Sequence, residues 1–311
     1  MKTVLVTGGA GFIGSNLCKS LLKKRLKVIC IDDLSGGYKE NLPKNKNFTF
    51  LKGSCLNTKI LKKAFDYEPD IVFHLAARKG FNITSVLSPL NDLKINTLST
   101  LKLLDFSANH NVKKFMFASS SCVYGNNKNK NDENSKINLD TPYAISKFTS
   151  EEYCRFYQNY KNLNITIFRI FNTYGPGERT KKHSNVICKF FENTVKNKPI
   201  KITGNNTSRS YLYIDDLIEA FQLVIDTNKF NNVCLNVGYE KDINIEYLAK
   251  LVKECSRSDS RIINKPLRKW DKVKKRSVNI NKIKNLSKWK PKINIRDGIN
   301  KYYIWFKKNC V

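Results

Sequence analysis

Tyr143 and Lys147 stand four residues apart in Thr141-Pro142-Tyr143-Ala144-Ile145-Ser146-Lys147. On a helix, positions i and i+4 share a face, so the ammonium can sit beside the phenol. A positive neighbour favours the phenolate and draws a tyrosine down from about 10 towards the range where a general base works near neutrality. The same spacing recurs at Tyr124/Lys128, Tyr157/Lys161 and Tyr303/Lys307 in a chain of 45 lysines, so spacing alone selects nothing. Position does. Tyr143 opens a helix that follows a strand ending in Ala118-Ser119-Ser120-Ser121, and a serine hydroxyl there can bond the same substrate oxygen.

A second group of residues suits phosphates. Thr7-Gly8-Gly9-Ala10-Gly11-Phe12-Ile13-Gly14 follows an apolar strand and opens a helix. Gly8 permits the tight turn, Gly11 lets a pyrophosphate approach the backbone, and Gly14 lets helix and strand pack closely. Asp32 ends the next strand, 18 residues beyond Gly14. A carboxylate there accepts from both hydroxyls of an adenosine ribose and repels a 2′-phosphate. Asp33 follows, with neither Arg nor Lys beside it, which favours NAD over NADP.

These groups need a scaffold that brings them together. Strands are expected at 2–6, 28–31, 48–51, 71–75, 114–118 and 165–170, with helices at 12–24, 56–65, 90–108 and 142–160 between them. Such alternation predicts an α/β fold with a doubly wound parallel (Rossmann) sheet covered on both faces. Beyond 172 the pattern loosens, with helices at 215–225, 245–255 and about 299–306 and a strand at 233–237. Residues 1–172 are expected to form the dinucleotide-binding part, with 209–237 returning to it. Residues 173–208 and 238–311 make a smaller, interleaved, mostly helical substrate part. An Asn/Lys-rich stretch, 126–138, reads as a polar surface loop.

Composition narrows the classes. The 311 residues carry 56 Lys+Arg against 26 Asp+Glu, a net charge of +30. With 45 lysines, only 11 arginines and 37 asparagines spread along the chain, this reads as a compositional surface bias, and a dedicated nucleic-acid groove is not expected. No apolar run approaches the roughly 20 residues of a membrane span, and no signal peptide opens the chain. Nine scattered cysteines without C-x-x-C spacing read as reduced thiols in a cytoplasmic protein.

Taken in order, the glycine turn, His74-Leu75-Ala76-Ala77, Ser119-Ser120-Ser121-Cys122-Val123-Tyr124-Gly125, Tyr143/Lys147, Arg169-Ile170-Phe171-Asn172-Thr173-Tyr174-Gly175-Pro176 and Arg209-Ser210-Tyr211-Leu212-Tyr213-Ile214-Asp215-Asp216 resemble the extended short-chain dehydrogenase/reductase family, in its nucleoside-diphosphate-sugar epimerase/dehydratase branch. The resemblance runs from Thr3 to about Gly298. It implies that Ser120, Tyr143 and Lys147 are catalytic. It implies NAD contacts at Gly8, Gly11, Phe12, Ile13, Gly14, Asp32, Ser54, Cys55, Leu75, Ala76, Ala77, Lys79, Asn96, Tyr143, Lys147 and Phe171. Contacts to the nucleotide sugar are implied for Ser120, Asn172, Asn185, Arg209, Arg268 and Asp271, with no metal and a homodimer.

Sugar dehydratases of the family carry an Asp-Glu pair where this chain has Ser121-Cys122, and decarboxylases a Glu in the second place. The pattern is closer to UDP-glucose 4-epimerases. That implies transient oxidation at the sugar C4, rotation of the 4-keto sugar and reduction on the other face, with Tyr143 moving the proton. Reduction, decarboxylation or dehydration of such a sugar, and a non-catalytic nucleic-acid-binding role, remain the alternatives. Ser54 stands where an Asp commonly contacts adenine, and Ser210 where an Asp commonly follows the arginine. Spacing near Arg276 differs by about one residue from typical members, and an arginine facing the pocket there would suit a carboxylated sugar.

Overall fold

The computed structural model describes residues 1–78, 82–127, 129–180, 184–204, 206–266 and 273–311. Lys79, Arg268 and Asp271 therefore lie outside the described residues, as does Lys128 of one alternative tyrosine–lysine pair.

The first half alternates strands β1 (Thr3–Thr7), β2 (Lys27–Asp32), β3 (Phe48–Lys52), β4 (Ile71–His74), β5 (Lys114–Ser120) and β6 (Ile165–Ile170) with helices α1 (Phe12–Lys23), α2 (Thr58–Phe65), α3 (Asn82–Leu87), α4 (Pro89–Asp92), α5 (Ser99–Asn109) and α6 (Pro142–Tyr160). The second half adds β7 (Asn172–Tyr174), α7 (Val186–Val195), β8 (Ile200–Thr203), β9 (Ser208–Tyr213), α8 (Ile214–Asp226), β10 (Val233–Val237), β11 (Asp242–Asn244), α9 (Ile245–Ser256), β12 (Ile262–Lys265), β13 (Lys275–Arg276), α10 (Asn281–Ser287) and α11 (Ile295–Cys310).

Seven strands form one parallel sheet in the order β10-β6-β5-β4-β1-β2-β3. All five residues of β1 are buried, as a central parallel strand requires. Its side chains alternate between faces: Val4 and Val6 join one core cluster with Leu17 and Leu21 of α1, and Leu5 joins the other with Ile29, Val72 and Phe115. The strand order reverses between β1 and β4. Their carboxyl ends open the crevice where a doubly wound sheet takes its ligand.

Of the segment 209–237, β10 lies at the edge of the large sheet and α8 packs on α1, whereas β9 belongs to a smaller sheet in which it pairs with β7, β11 and β13. The substrate part is mostly helical, as expected, with α7, α9, α10 and α11 supplying most of its regular residues, and it adds short strands, among them β8 paired to β12.

The helix expected over 90–108 is two helices joined by a π-helical turn, Leu93–Leu98. The carbonyl of Asn96 there accepts the hydroxyls of Thr100 (2.5 Å) and Ser150 (3.3 Å), so side chains take part in satisfying the widened turn. The stretch at 126–138 is also more than a surface loop. Asn131 is buried, donates from its backbone to Ser277 O at 3.0 Å, and forms a β-bridge with Val278.

Candidate active site

The glycine turn closes the crevice from below. Gly8 has φ +73°, and a Cβ on it would lie 2.8 Å from Ala76 N, so it needs glycine on both counts. At Gly14 a Cβ would fall 2.2 Å from Gly8 O, which is the close helix–turn approach expected of it. Gly11 differs: its Cβ position meets only Gly8 O, at 3.1 Å, so the space above it is open. Gly11 is also the N-cap of α1, with no side chain capping the helix and no acid in its first turn. Backbone N–H groups at an uncapped N-terminus form a cradle that fits a diphosphate. Phe12 and Ile13 are half-buried at its rim.

Asp32, at the end of β2, is buried and accepts from Ala10 N at 2.9 Å and Leu34 N at 2.8 Å. Burial pushes its carboxyl up, and these backbone donors oppose the rise. The carboxylate thus also ties the glycine turn to the chain that leaves β2. Ser54 accepts from Leu56 N at 3.2 Å, while Cys55 is buried and its thiol is pushed up to about 12 by burial.

On the other side of β1, Leu75 and Ala76 donate to Thr7 O and Thr7 Oγ1, both at 3.2 Å, and Ala77 is exposed. Asn96 does not face the crevice freely. It is buried, its Oδ1 accepts from Arg78 N at 2.8 Å and its Nδ2 donates to Ser146 Oγ at 2.9 Å, so it fastens the loop after β4 to α6.

The reactive hydroxyls meet at the end of β5. Ser120 ends that strand and opens a 3-10 turn, Ser121–Tyr124, where its Oγ accepts from Cys122 N at 3.2 Å. Helix α6 starts with Thr141 capping Ala144 N at 3.1 Å and Pro142 in the first turn, which fixes Tyr143 one residue inside the helix. Tyr143 N donates to Ser85 Oγ at 2.8 Å. Burial raises the Tyr143 phenol, nearby Cys122 adds to the rise, and a hydrogen bond with the Ser120 side chain opposes it.

Lys147 corrects the sequence reading. Its ammonium is buried, donates to Ala118 O at 2.7 Å and lies 4.7 Å from the Phe117 ring centre. Burial lowers it to about 8. The expected relief of the phenol by its helical neighbour does not appear, because desolvation dominates and the ammonium is turned to the strand carbonyl.

Behind these groups lies a buried polar cluster that motif reading missed. Glu151, one turn beyond Lys147, is fully buried and accepts from Ser119 Oγ (2.5 Å), Arg169 Nη2 (2.8 Å) and Arg155 Nη2 (2.9 Å). Arg169 continues to Tyr124 Oη at 3.0 Å, and Tyr124 donates to Asn236 Oδ1 at 2.7 Å. The i+4 series Tyr143, Lys147, Glu151, Arg155 was a signal available in the sequence.

The sugar-side candidates are spread over the small sheet. Phe171 is buried and Asn172 half-buried where β6 passes into β7. Asn185 caps the fold around α7, with its N–H on Glu178 Oε1 and its Nδ2 on Thr173 O, both at 3.0 Å. Arg209 holds the backbone of β13's approach, donating to Val273 O at 2.6 Å and Lys274 O at 2.9 Å. Arg276, its register partner on β13, reaches the other way, with Nη1 3.5 Å from Cys122 Sγ.

The arrangement matches known proteins along its whole length. Residues 4–238 match the NAD dependent epimerase/dehydratase family. A putative UDP-glucose 4-epimerase of Methanocaldococcus jannaschii is 32% identical over 310 residues, covering 98% of this chain and 99% of that one. An epimerase structure from Methanothermobacter thermautotrophicus superposes with TM-score 0.96 at 33% identity, over 99% of this chain and 93% of the other. A UDP-glucose 4-epimerase from Thermotoga maritima, solved with UDP-glucose, gives TM-score 0.93 at 33% identity over 98% and 99%.

Proposed function

Because the chain belongs to the NAD-dependent epimerase/dehydratase family, we propose that it inverts C4 of a nucleoside-diphosphate sugar, with UDP as the nucleotide. Gly8, Gly11 and the start of α1 hold the cofactor's diphosphate, Asp32 takes the adenosine ribose, and Leu75, Ala76 and Phe171 line the crevice. Bound NAD supplies a hydride acceptor that later returns the hydride, together with the positive charge of its ring. Tyr143 Oη takes the proton of the sugar 4-hydroxyl and gives it back after the sugar has turned. Ser120 Oγ holds the same oxygen. Lys147 donates to the Ala118 carbonyl and so holds the end of β5, which carries Ser120, against the helix that carries Tyr143.

One observation carries the choice of epimerisation. Among the described residues, the acids near Tyr143 are already held: Asp92 by Arg78 at 2.9 Å and by Ser85, and Glu151 by Arg155 and Arg169. Position 122 carries a thiol. Elimination of water or loss of a carboxyl group calls for an acid–base residue beside the tyrosine; inversion at C4 needs only the phenol and a hydroxyl.

The chain also has a face suited to a second copy. Leu90, Leu93 and Leu98 on one helical stretch and Ile145, Phe156 and Tyr160 on α6 are exposed apolar residues on neighbouring elements. Pairing through them as a homodimer is part of this reading. No helix of the described residues is long and apolar enough to cross a membrane, and the nine cysteines are free thiols, which suits a reducing compartment.

The test is incubation of the purified protein with neutral and acidic UDP-sugars, followed by proton NMR. The C4 epimer should accumulate to equilibrium with no net NADH. Net NADH, released carbon dioxide or a dehydrated sugar would overturn the assignment.

A further inference from the structure

Three arginines around the catalytic helix are held by acids. Arg78 holds Asp92, Arg169 holds Glu151, and the half-exposed Arg155 holds Glu151 and Glu152. Arg276 has no carboxylate among the described residues. Its Nε is buried without an acceptor, and its Nη1 reaches only the thiol of Cys122, at 3.5 Å. Asp242, on β11 of the same small sheet, is engaged elsewhere, by Ser277 Oγ at 2.5 Å and Lys275 Nζ at 3.2 Å. Arg276 is half-buried, and a guanidinium whose Nε is withdrawn from water without an acceptor carries a desolvation cost that an anion would offset.

Its place in the fold says where that anion comes from. Backbone pairing of β13 with β9 sets Arg276 beside Arg209 at the sugar end of the crevice. Its head meets Cys122, whose N–H donates to Ser120 Oγ, the hydroxyl that bonds the Tyr143 phenol. The guanidinium therefore lies next to the groups that face C4. In a hexopyranose the diphosphate hangs from C1, across the ring from C4, whereas the C5 substituent adjoins C4. An anion reaching Arg276 belongs to the sugar ring.

We propose that Arg276 selects nucleotide sugars that bear a carboxylate on C5, so that the preferred substrate class is a nucleoside-diphosphate hexuronate. This rests on the C4-epimerase reading. Planar guanidinium and planar carboxylate pair through two parallel hydrogen bonds, which a hexose hydroxymethyl group cannot reproduce. Cys122, a weak acceptor, leaves the fork available to a better one.

The experiment measures binding as well as turnover, using UDP-glucuronate and UDP-glucose as probes. Calorimetric titration of the NAD-loaded protein, in a Tyr143→Phe background that holds the sugar unreacted, gives the ratio of the two affinities. That ratio should favour the uronate and fall about 10- to 100-fold on Arg276→Gln, the range of a charge-assisted hydrogen bond. Arg276→Lys, which keeps charge without the fork, should retain part of the preference, and its thermal melt guards against misfolding. Equal affinities in the parent, or a ratio that neither substitution moves, would overturn the proposal. Epimerisation is followed separately on the unsubstituted protein: uronate preference without C4 inversion would sink the reaction assignment and leave the carboxylate site standing.

Discussion

The cofactor end of the crevice is built from neighbours in sequence: residues 7–14 form the turn and the helix start, and Asp32 ties that turn to the end of the adjacent strand. The proposed sugar end is assembled from segments far apart, with Ser120 and Cys122 after β5, Asn172 on β7, Arg209 on β9 and Arg276 on β13. The two ends also differ in how completely their polar groups are paired. Asp32 and Asn96 are bonded on both of their polar ends, while Arg276 Nε and Asp242 Oδ1 are buried without partners. A constant ligand is met by backbone geometry that is complete in advance. A variable one is met by side chains that keep capacity in reserve.

Between the two ends stands the Glu151 cluster, and breaking it should give the largest effect on folding. Glu151→Ala strands Arg169, a residue only 3% exposed, as an uncompensated buried charge. The expected loss is about 3–5 kcal/mol of stability, read from urea unfolding. A loss under about 1 kcal/mol would show the cluster to be dispensable to both ends.

Lys147 allows a pH test of the same strand end. Burial lowers it to about 8, so between there and the ordinary lysine value of 10.5 the unfolded chain binds more protons than the folded one. Stability from this group therefore rises with pH across that window, and below it the cost of burying the ammonium is borne in full. Lys147→Met removes the dependence. The unfolding free energy of the parent should gain on that of the variant by up to about 3 kcal/mol from pH 8 to 10.5, and a flat difference would contradict the burial argument.

Gly14→Ala tests the cofactor end alone. The added methyl meets the Gly8 backbone at 2.2 Å, so the turn must shift. A cost of about 1–3 kcal/mol in melting and loss of retained NAD are expected, while the affinity of the free protein for UDP should change little. Equal loss of both ligands would mean that the two ends are not separable.

The contrast also explains what could be read from residues alone. The glycine turn declares itself because its three glycines, the flanking strand and the helix lie within one short stretch. Helix α6 spans 142–160 as its Pro142 and apolar spacing indicated. The π-helical turn at Leu93–Leu98 did not show, since the apolar spacing continues through it and its cause is side-chain hydroxyls on the Asn96 carbonyl. The strands of the small sheet, two to six residues long, leave too little alternation to be seen. Lys147 misled because helical spacing gives the face of a side chain but not which of two acceptors it chooses, and the Ala118 carbonyl wins.

The most direct test of the account is Tyr143→Phe. The variant keeps the ring and the Ser120 side of the crevice but has no group to move the proton. With NAD still bound, C4 inversion of a UDP-sugar followed by NMR should fall by about 10²- to 10⁴-fold, the usual worth of a positioned acid–base group. Turnover within a few-fold of the parent would place the proton transfer elsewhere and contradict the role given to this phenol.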